Sequence, residues 1–177
     1  MKFIFVRHGQ TDWNRDRIII GWNDPELNEE GIKQSYELLA SLENNFDVIY
    51  SSPFKRAYAT AEIISKHFNL PIVVKDDLKE RNFGSLAGKT WAEMDKEQKK
   101  DMRAIDRQQK YDYTSFGGES AEQVKERVLR FVDEAKKSSG QKPLVVCHGG
   151  VIRMLHYLFS NKEIPSITNI SIHEFNL

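Results

Sequence analysis

Two histidines each follow a short apolar run that is typical of a buried β-strand. The run FIFV ends in Arg7 and His8, and the run LVVC ends in His148. Glycine follows both histidines and lets a ligand approach the backbone closely. In a parallel sheet, ligands bind beyond the carboxyl ends of the strands, so both imidazoles are predicted at that edge. Two imidazoles beside a fixed positive charge are suited to phosphate chemistry.

Further residues at the same predicted edge offer donors for phosphate oxygens. Arg7 presents a planar fork of N–H groups, and Arg56 lies in the first turn of the helix that follows the apolar run DVIYS. The helix that begins near Gly149 and Gly150 presents free N–H groups and its positive dipole end. Asn14 and Thr11 are candidate neutral donors. We therefore expect an anion site at this edge of the sheet.

A phosphate held in this way can be attacked in line by an imidazole nitrogen. The nucleophile must be neutral, and neighbouring arginines disfavour protonation of His8. The product is a phosphohistidine, which divides phosphoryl transfer into two easier steps. An alkoxide leaves poorly, so the reaction also needs an acid. Residue chemistry alone leaves three candidates after the third predicted strand: Asp76, Asp77 and Glu80.

A metal site is disfavoured by the same residues. Two histidines need a third ligand, and the adjacent charge of Arg7 opposes a bound cation. The sequence has no His-x-x-x-His or Cys-x-x-Cys spacing, and its single cysteine is Cys147. We therefore predict no metal.

The elements that must position these residues alternate between strands and helices. Apolar runs predict strands at KFIFV, DVIYS, PIVVKD, PLVVC and NISIHEF, and amphipathic segments between them predict helices. A polar helix is predicted at 90–109. This alternation predicts an α/β fold, a three-layer α/β/α sandwich with a mostly parallel central sheet.

Helix starts are predicted from capping residues. Asn28 is a predicted N-cap, and Ser120 with Gln123 forms a predicted capping box. Ser52 is predicted to cap the helix that carries Arg56, with Pro53 at its first position.

Composition limits the classes of partner. The chain has 177 residues, a length typical of one domain, and its 26 basic residues balance 26 acidic ones. Zero formal net charge argues against nucleic-acid and polybasic membrane binding. Lys2 precedes too few apolar residues for a signal peptide, and no apolar run approaches the roughly 20 residues of a membrane span. We expect a cytoplasmic protein with a small-molecule substrate and no nucleic-acid or membrane partner; no pattern indicates its oligomeric state.

Six blocks of sequence, in this order, resemble the phosphoglycerate mutase-like branch of the histidine phosphatase superfamily. They are VRHGQTDWN at 6–14, GWNDPELNEEG at 21–31, SSPFKRAYATAE at 51–62, LKERNFGSLAGK at 78–89, GGES at 117–120 and VCHGG at 146–150. The resemblance implies one domain over residues 1–177 with a phosphoglycerate mutase-like sheet order. It also implies a short cap segment at about 89–118.

The resemblance implies a role for each candidate residue. His8 is the residue phosphorylated in turnover, and Glu80 matches the proton donor, which selects one of the three carboxylates. The implied phosphate and substrate contacts are Arg7, Arg56 and His148, with Asn14 and the Gly149 backbone assisting and Gly21 near the substrate. No metal or diffusible cofactor is implied.

The region after the predicted acid favours hydrolysis over a mutase reaction. Glycolytic mutases of the family carry a basic residue eleven positions after the acid and a longer insert with paired arginines. This chain has Trp91 at that position, and Arg103 and Arg107 in its short segment are predicted to face solvent. A short cap suits water as the acceptor, so we predict a phosphomonoesterase that acts on a small phosphorylated metabolite. The alternatives are a phosphoglycerate mutase-type phosphotransferase, a phosphoprotein phosphatase and a regulatory phosphate-binding domain.

Overall fold

Four parallel strands and one antiparallel strand form the sheet that carries the site. The computed structural model describes residues 1–90, 92–93, 105–106, 108–138, 142–160 and 166–177. The strands in these ranges are β1 (Lys2–Arg7), β2 (Val48–Ser51), β3 (Ile72–Val74), β4 (Pro143–Cys147) and β5 (Ile172–Asn176). Their order is β3–β2–β4–β1–β5, and only the pairing of β5 with β1 is antiparallel among them.

Helices follow most strands in the sequence. They are α1 (Asp12–Arg15), α2 (Glu29–Leu38), α3 (Lys55–Phe68), α4 (Ala121–Lys137) and α5 (Gly149–Ser160). Short 3-10 turns occupy Leu39–Ser41, Asp76–Leu78, Gly84–Leu86 and Thr114–Phe116. Across the described ranges, every helix is too short or too polar to cross a bilayer.

The central strand β4 divides the core into two layers. Leu144 and Val146 belong to a cluster with buried residues of α2 and α3, whereas Val145 and Cys147 belong to a cluster with α4 and α5. Alternate residues of a strand face opposite sides of a sheet, so helices cover both sides. The predicted three-layer α/β/α fold with a mostly parallel sheet is confirmed.

Two of the three predicted helix starts are confirmed. The Asn28 side chain accepts a hydrogen bond from the N–H of Gly31, with a distance of 2.8 Å. Ser120 and Gln123 form the reciprocal capping box before α4.

The predicted cap at Ser52 is wrong. Helix α3 begins two residues after Pro53, its N-cap is Phe54, and no side chain of the N-cap residue bonds to the helix. The Asp24 carboxylate instead accepts a hydrogen bond from the N–H of Lys55, at 2.7 Å. The hydroxyl of Ser52 instead bonds to a histidine of the candidate site.

The predicted polar helix at 90–109 lies mostly outside the described residues, as do Trp91, Arg103 and Arg107.

Two glycines lock the loop after β1 against helix α2. A side-chain carbon at Gly31 would overlap the carbonyl oxygen of Gln10 and lie 2.7 Å from its nitrogen. A side-chain carbon at Gly9 would overlap the carbonyl oxygen of Gly31. The N–H of Asn28 also donates to the carbonyl of Gln10, at 3.0 Å. The backbone that follows His8 therefore has little freedom to shift.

Gly31→Ala is expected to lower the free energy of unfolding by about 1–3 kcal/mol, because the added methyl group overpacks this contact. Glycine to alanine inside a helix ordinarily stabilises by roughly 0.8–1 kcal/mol, so the sign of the change is informative. Urea unfolding followed by circular dichroism measures it. Glu30→Ala, exposed in the same turn, is the control and should stay within about 0.5 kcal/mol of the parent. A stabilised Gly31→Ala protein would contradict the close contact.

Candidate active site

The candidate residues converge at the carboxyl edge of the sheet. A cavity of about 710 Å³ opens there, and six of the candidates line it: Arg7, His8, Asn14, Gly21, Arg56 and Glu80. His148 packs against His8, with ring centroids 5.1 Å apart. A side-chain carbon at Gly149 would lie 3.7 Å from Nε of Arg7. All eight candidate residues therefore lie in or directly against one site.

The hydrogen bond of His8 fixes which ring nitrogen is free. Nδ1 lies 2.7 Å from the carbonyl oxygen of Gly9, which can only accept, so Nδ1 carries the proton. Nε2 is then the unprotonated nitrogen, in a side chain that is almost fully buried. Burial lowers the pKa of His8 well below its usual value, and the charges of Arg56 and Arg7 lower it further. His8 is therefore a neutral imidazole with an available lone pair.

The guanidinium groups of Arg7 and Arg56 supply positive charge beside His8. Arg56 is fully buried, and its Nη1 and Nη2 donate to the carbonyls of Asn23, at 2.8 Å, and Gly21, at 3.1 Å. Arg7 donates through Nη1 to the carbonyl of Ile167. The Nε atoms of both arginines are buried without a partner in the described part of the chain. Burial lowers the pKa of Arg7, and that of Arg56 to about 10, so both stay charged at neutral pH.

The second histidine has a different partner. Nε2 of His148 lies 2.8 Å from the hydroxyl of Ser52, and its Nδ1 is buried without a partner among the described residues. When Ser52 donates this bond, Nδ1 carries the proton and is a donor for an anion. Burial lowers the pKa of His148 well below its usual value, with a further contribution from Arg56. The serine that the sequence suggested as a helix cap therefore orients an imidazole.

Glu80 lines the same cavity as His8. Its Oε1 accepts from the N–H of Arg81, at 2.8 Å, and the N–H of Gly150 donates to both carboxylate oxygens, at 3.1 and 3.2 Å. A side-chain carbon at Gly150 would overlap Oε1 of Glu80. The sequence placed Gly150 at a helix start with free N–H groups but did not predict that this N–H bonds to Glu80.

The two aspartates considered as alternatives lie outside the cavity. Asp76 pairs with Lys79 at 2.9 Å, and its side chain is 77% exposed. Asp77 pairs with Arg130 at 2.8 Å. Neither lines the cavity, so among the three carboxylates Glu80 alone is placed for proton transfer there.

Asn14 and Thr11 have different surroundings. Asn14 lines the cavity, and its Oδ1 accepts from the N–H of Thr11, at 3.1 Å, and from Nδ2 of Asn169, at 3.3 Å. Thr11 is fully buried and caps α1, so its predicted role as a phosphate donor is wrong. Sequence reasoning missed Asn169, which also donates to the carbonyl of His8 at 2.9 Å.

The lining of the cavity suits a phosphate ester. Beyond the charged groups it includes apolar side chains that the sequence gave no reason to select: Trp13, Ile18, Ile19, Ile20 and Phe83. Within the described ranges, no three His, Cys, Asp or Glu side chains cluster as metal ligands would. The site thus combines a neutral nucleophile, the guanidinium groups of Arg7 and Arg56, the carboxyl group of Glu80 and an apolar wall. The exposed Asp16 and Arg17 also line the cavity.

Proteins similar to this chain include phosphatases and mutases. The chain is 37% identical to the metal-independent phosphoserine phosphatase of Arabidopsis thaliana, over 88% of this chain and 67% of that protein. It is 30% identical to the 2,3-bisphosphoglycerate-dependent phosphoglycerate mutase of Parvibaculum lavamentivorans, over 86% of this chain and 76% of the mutase. A solved structure, the mycobacterial glucosyl-3-phosphoglycerate phosphatase complexed with VO3, aligns with a TM-score of 0.88 and 27% identity. That alignment covers 98% of this chain and 90% of the other.

A family model confirms the resemblance that the sequence blocks indicated. The model of the histidine phosphatase superfamily, branch 1, matches residues 3–177 and so includes every candidate residue. The cavity, its paired histidines and the phosphatase and mutase relatives agree with that match: this chain belongs to branch 1 of the histidine phosphatase superfamily.

Proposed function

We propose that this chain is a phosphomonoesterase that hydrolyses a small phosphorylated metabolite through a phosphohistidine on His8. The observation that carries the proposal is the neutral Nε2 of His8 in a cavity that is also lined by the half-buried Arg7 and the fully buried Arg56. Relatives named as phosphatases support the reaction class. We assign residues 1–177 to one catalytic domain, with a cap segment at about 89–118, and place it in the cytoplasm.

The first chemical step transfers the phosphoryl group to the protein. Nε2 of His8 attacks phosphorus, and the bond from phosphorus to the alcohol oxygen breaks. Glu80, in its protonated form, gives its proton to the departing oxygen. The guanidinium groups of Arg7 and Arg56, with Nδ1 of His148, stabilise charge on the phosphoryl oxygens. Asn14 and the backbone of Gly21 and Gly149 complete the contacts to substrate.

The second step returns the protein to its starting state. The Glu80 carboxylate takes a proton from water, and the water oxygen bonds to phosphorus as the P–N bond breaks. Inorganic phosphate leaves, and His8 is again neutral. A mutase-type transfer, the alternative, returns the phosphoryl group to a bound sugar acid instead of water. Incubation with a panel of phosphomonoesters that includes 3-phosphoglycerate tests the choice: phosphate release supports hydrolysis, and isomerisation without release supports transfer.

His8→Ala is expected to abolish turnover and phosphorylation of the protein, because it removes the nucleophile. Brief incubation with radiolabelled substrate and an alkaline quench should trap acid-labile, base-stable phosphate on the parent protein. His67→Ala, which changes an exposed histidine of α3, is the matched control and should keep the label. Label that survives in His8→Ala would show that the nucleophile is another residue.

Arg56→Ala is expected to lower kcat/KM by roughly 10²–10³-fold, as loss of one preorganised charge-stabilising donor does. The inhibition constant of inorganic phosphate should rise in the same variant. Lys55→Ala is the control, because Lys55 pairs with Glu26 at the exposed surface, 2.9 Å away. If phosphate binds Arg56→Ala as tightly as the parent, Arg56 does not contact the phosphoryl group.

Glu80→Gln is expected to slow phosphohistidine formation by about 10²–10⁴-fold with an alkyl phosphate, which needs a proton on its leaving oxygen. With p-nitrophenyl phosphate the slowing should be much smaller, because p-nitrophenolate leaves without a proton. Rapid-quench kinetics on both substrates measures the two effects, and hydrolysis of the phosphoenzyme is followed in the same runs. Asp76→Asn and Asp77→Asn should leave both rates nearly unchanged. Equal slowing with the two substrates would exclude Glu80 as the general acid.

A further inference from the structure

The backbone that carries Glu80 forms neither helix nor strand. It lies between the 3-10 turns Asp76–Leu78 and Gly84–Leu86, and residues 79–82 are called here the acid segment. A proton donor must stay within hydrogen-bond reach of the leaving oxygen, and a misplacement of about 1 Å can cost roughly 10²-fold in rate. Irregular backbone has no repeating hydrogen bonds to hold it, so other groups must fix the acid segment.

Arg127 of helix α4 bonds to the main chain before Glu80. Its Nη1 donates to the carbonyls of Asp77, at 2.7 Å, and Lys79, at 2.6 Å. The second carbonyl belongs to the peptide group that joins Lys79 to Glu80. The same guanidinium donates through Nε and Nη2 to the two carboxylate oxygens of Glu119, at 2.9 and 3.1 Å.

Glu119 bonds to the main chain after Glu80. Its Oε2 accepts from the N–H of Asn82 at 2.8 Å, and its own N–H donates to the carbonyl of Asn82 at 2.9 Å. Glu119 is the third residue of the GGES block, which takes no part in the chemistry proposed above. A side-chain carbon at the preceding Gly118 would overlap the carbonyl of Asn82, so this approach also depends on glycine.

The pair is shielded from water. The side chains of Arg127 and Glu119 are 9% and 15% exposed, so both charges have lost most of their hydration. Such a pair is favourable only when its remaining donors and acceptors are also satisfied. Here they are satisfied largely by the acid segment, on both sides of Glu80. The indole Nε1 of Trp22 adds a third point by donating to the carbonyl of Glu80 at 2.7 Å.

We infer that Arg127 and Glu119 form a positioning pair that holds the carboxyl group of Glu80 in register with the leaving oxygen of the substrate. The inference rests on the proposed role of Glu80 as proton donor. Neither residue lines the cavity, so the pair acts through the backbone of the acid segment and not on the substrate. Substitution of the pair should then affect the reaction in the same way as substitution of Glu80. It should slow reaction with an alkyl phosphate more than with p-nitrophenyl phosphate and leave phosphate binding unchanged.

Helix α4 offers a matched control. Arg130 lies three residues after Arg127 and also reaches toward the same loop, but it bonds to the carboxylate of Asp77, at 2.8 Å, and is 65% exposed. Its substitution removes an arginine from the same helix without removing a bond to the acid segment. Val132, buried further along α4, provides a control for loss of stability alone.

The test compares kcat/KM for an alkyl phosphate and for p-nitrophenyl phosphate in the full chain. Arg127→Met and the double variant Glu119→Gln/Arg127→Met should lose about 10–10²-fold with the alkyl phosphate and much less with p-nitrophenyl phosphate. The double variant leaves no unpaired buried charge, so it folds even where Arg127→Met does not. The inhibition constant of inorganic phosphate should stay near that of the parent, and Arg130→Met and Val132→Ala should keep the parent's ratio between the two substrates.

Each outcome decides the inference. Equal losses with both substrates, or weakened phosphate binding, would show that the pair only supports the fold. A normal ratio in the double variant, together with a changed ratio in Glu80→Gln, would overturn the positioning role and leave the proposed function standing. If Glu80→Gln leaves the ratio of kcat/KM between the two substrates unchanged, Glu80 is not the general acid, and the positioning role of Arg127 and Glu119 is excluded with it.

Discussion

The hydrogen bond from Nδ1 of His8 to the carbonyl of Gly9 is the interaction on which the site depends. It leaves Nε2 as the nitrogen with a lone pair, and it requires the backbone after β1 to turn so that a carbonyl faces the ring. That turn is held by the contact between Gly9 and Gly31, where two backbones approach too closely for any side chain. The first turn of α2 therefore helps to hold His8 in the tautomer that carries its proton on Nδ1.

Burial of like charges is the second constraint. The fold places two guanidinium groups and two imidazoles around one cavity, and burial lowers the pKa of each of these four groups. The histidines respond by staying neutral, whereas the arginines keep their charge because their usual pKa is so high. This division explains why the two residue types take different parts of the proposed reaction.

Much of this site could be predicted from the sequence because a simple rule governs it. Residues at the carboxyl ends of β1 and β4, and in the first turn after β2, must share one edge of a parallel sheet, and this rule placed His8, His148 and Arg56 together. Glu80 could not be selected from its chemistry, because its neighbours Asp76 and Asp77 are chemically equivalent and only the loop conformation separates them.

The contacts that escaped prediction depend on irregular backbone. Asn169 reaches the site from a turn that no periodic pattern encodes, and the bond from the N–H of Gly150 to Glu80 depends on the irregular loop that carries Glu80. The hydroxyl of Ser52 fits a helix cap, but His148, which directly follows β4, competes for that hydroxyl. The roles of the eight candidate residues in binding and catalysis stay predictions.

On the proposed function, Arg7 and Arg56 also link the ligand to the stability of the whole fold. Their Nε atoms have no partner in the described ranges, and part of the cost of removing their charges from water is borne by the folded protein. An anion that binds only the folded state pairs with these charges and offsets part of that cost. By mass action, its binding shifts the equilibrium between unfolded and folded protein toward the folded state. On the proposed function phosphate is such an anion, so the protein is expected to resist unfolding, and the proteases that cut unfolded chains, most when phosphate is plentiful. The proposed function would then couple phosphate supply to protein lifetime through the same two arginines.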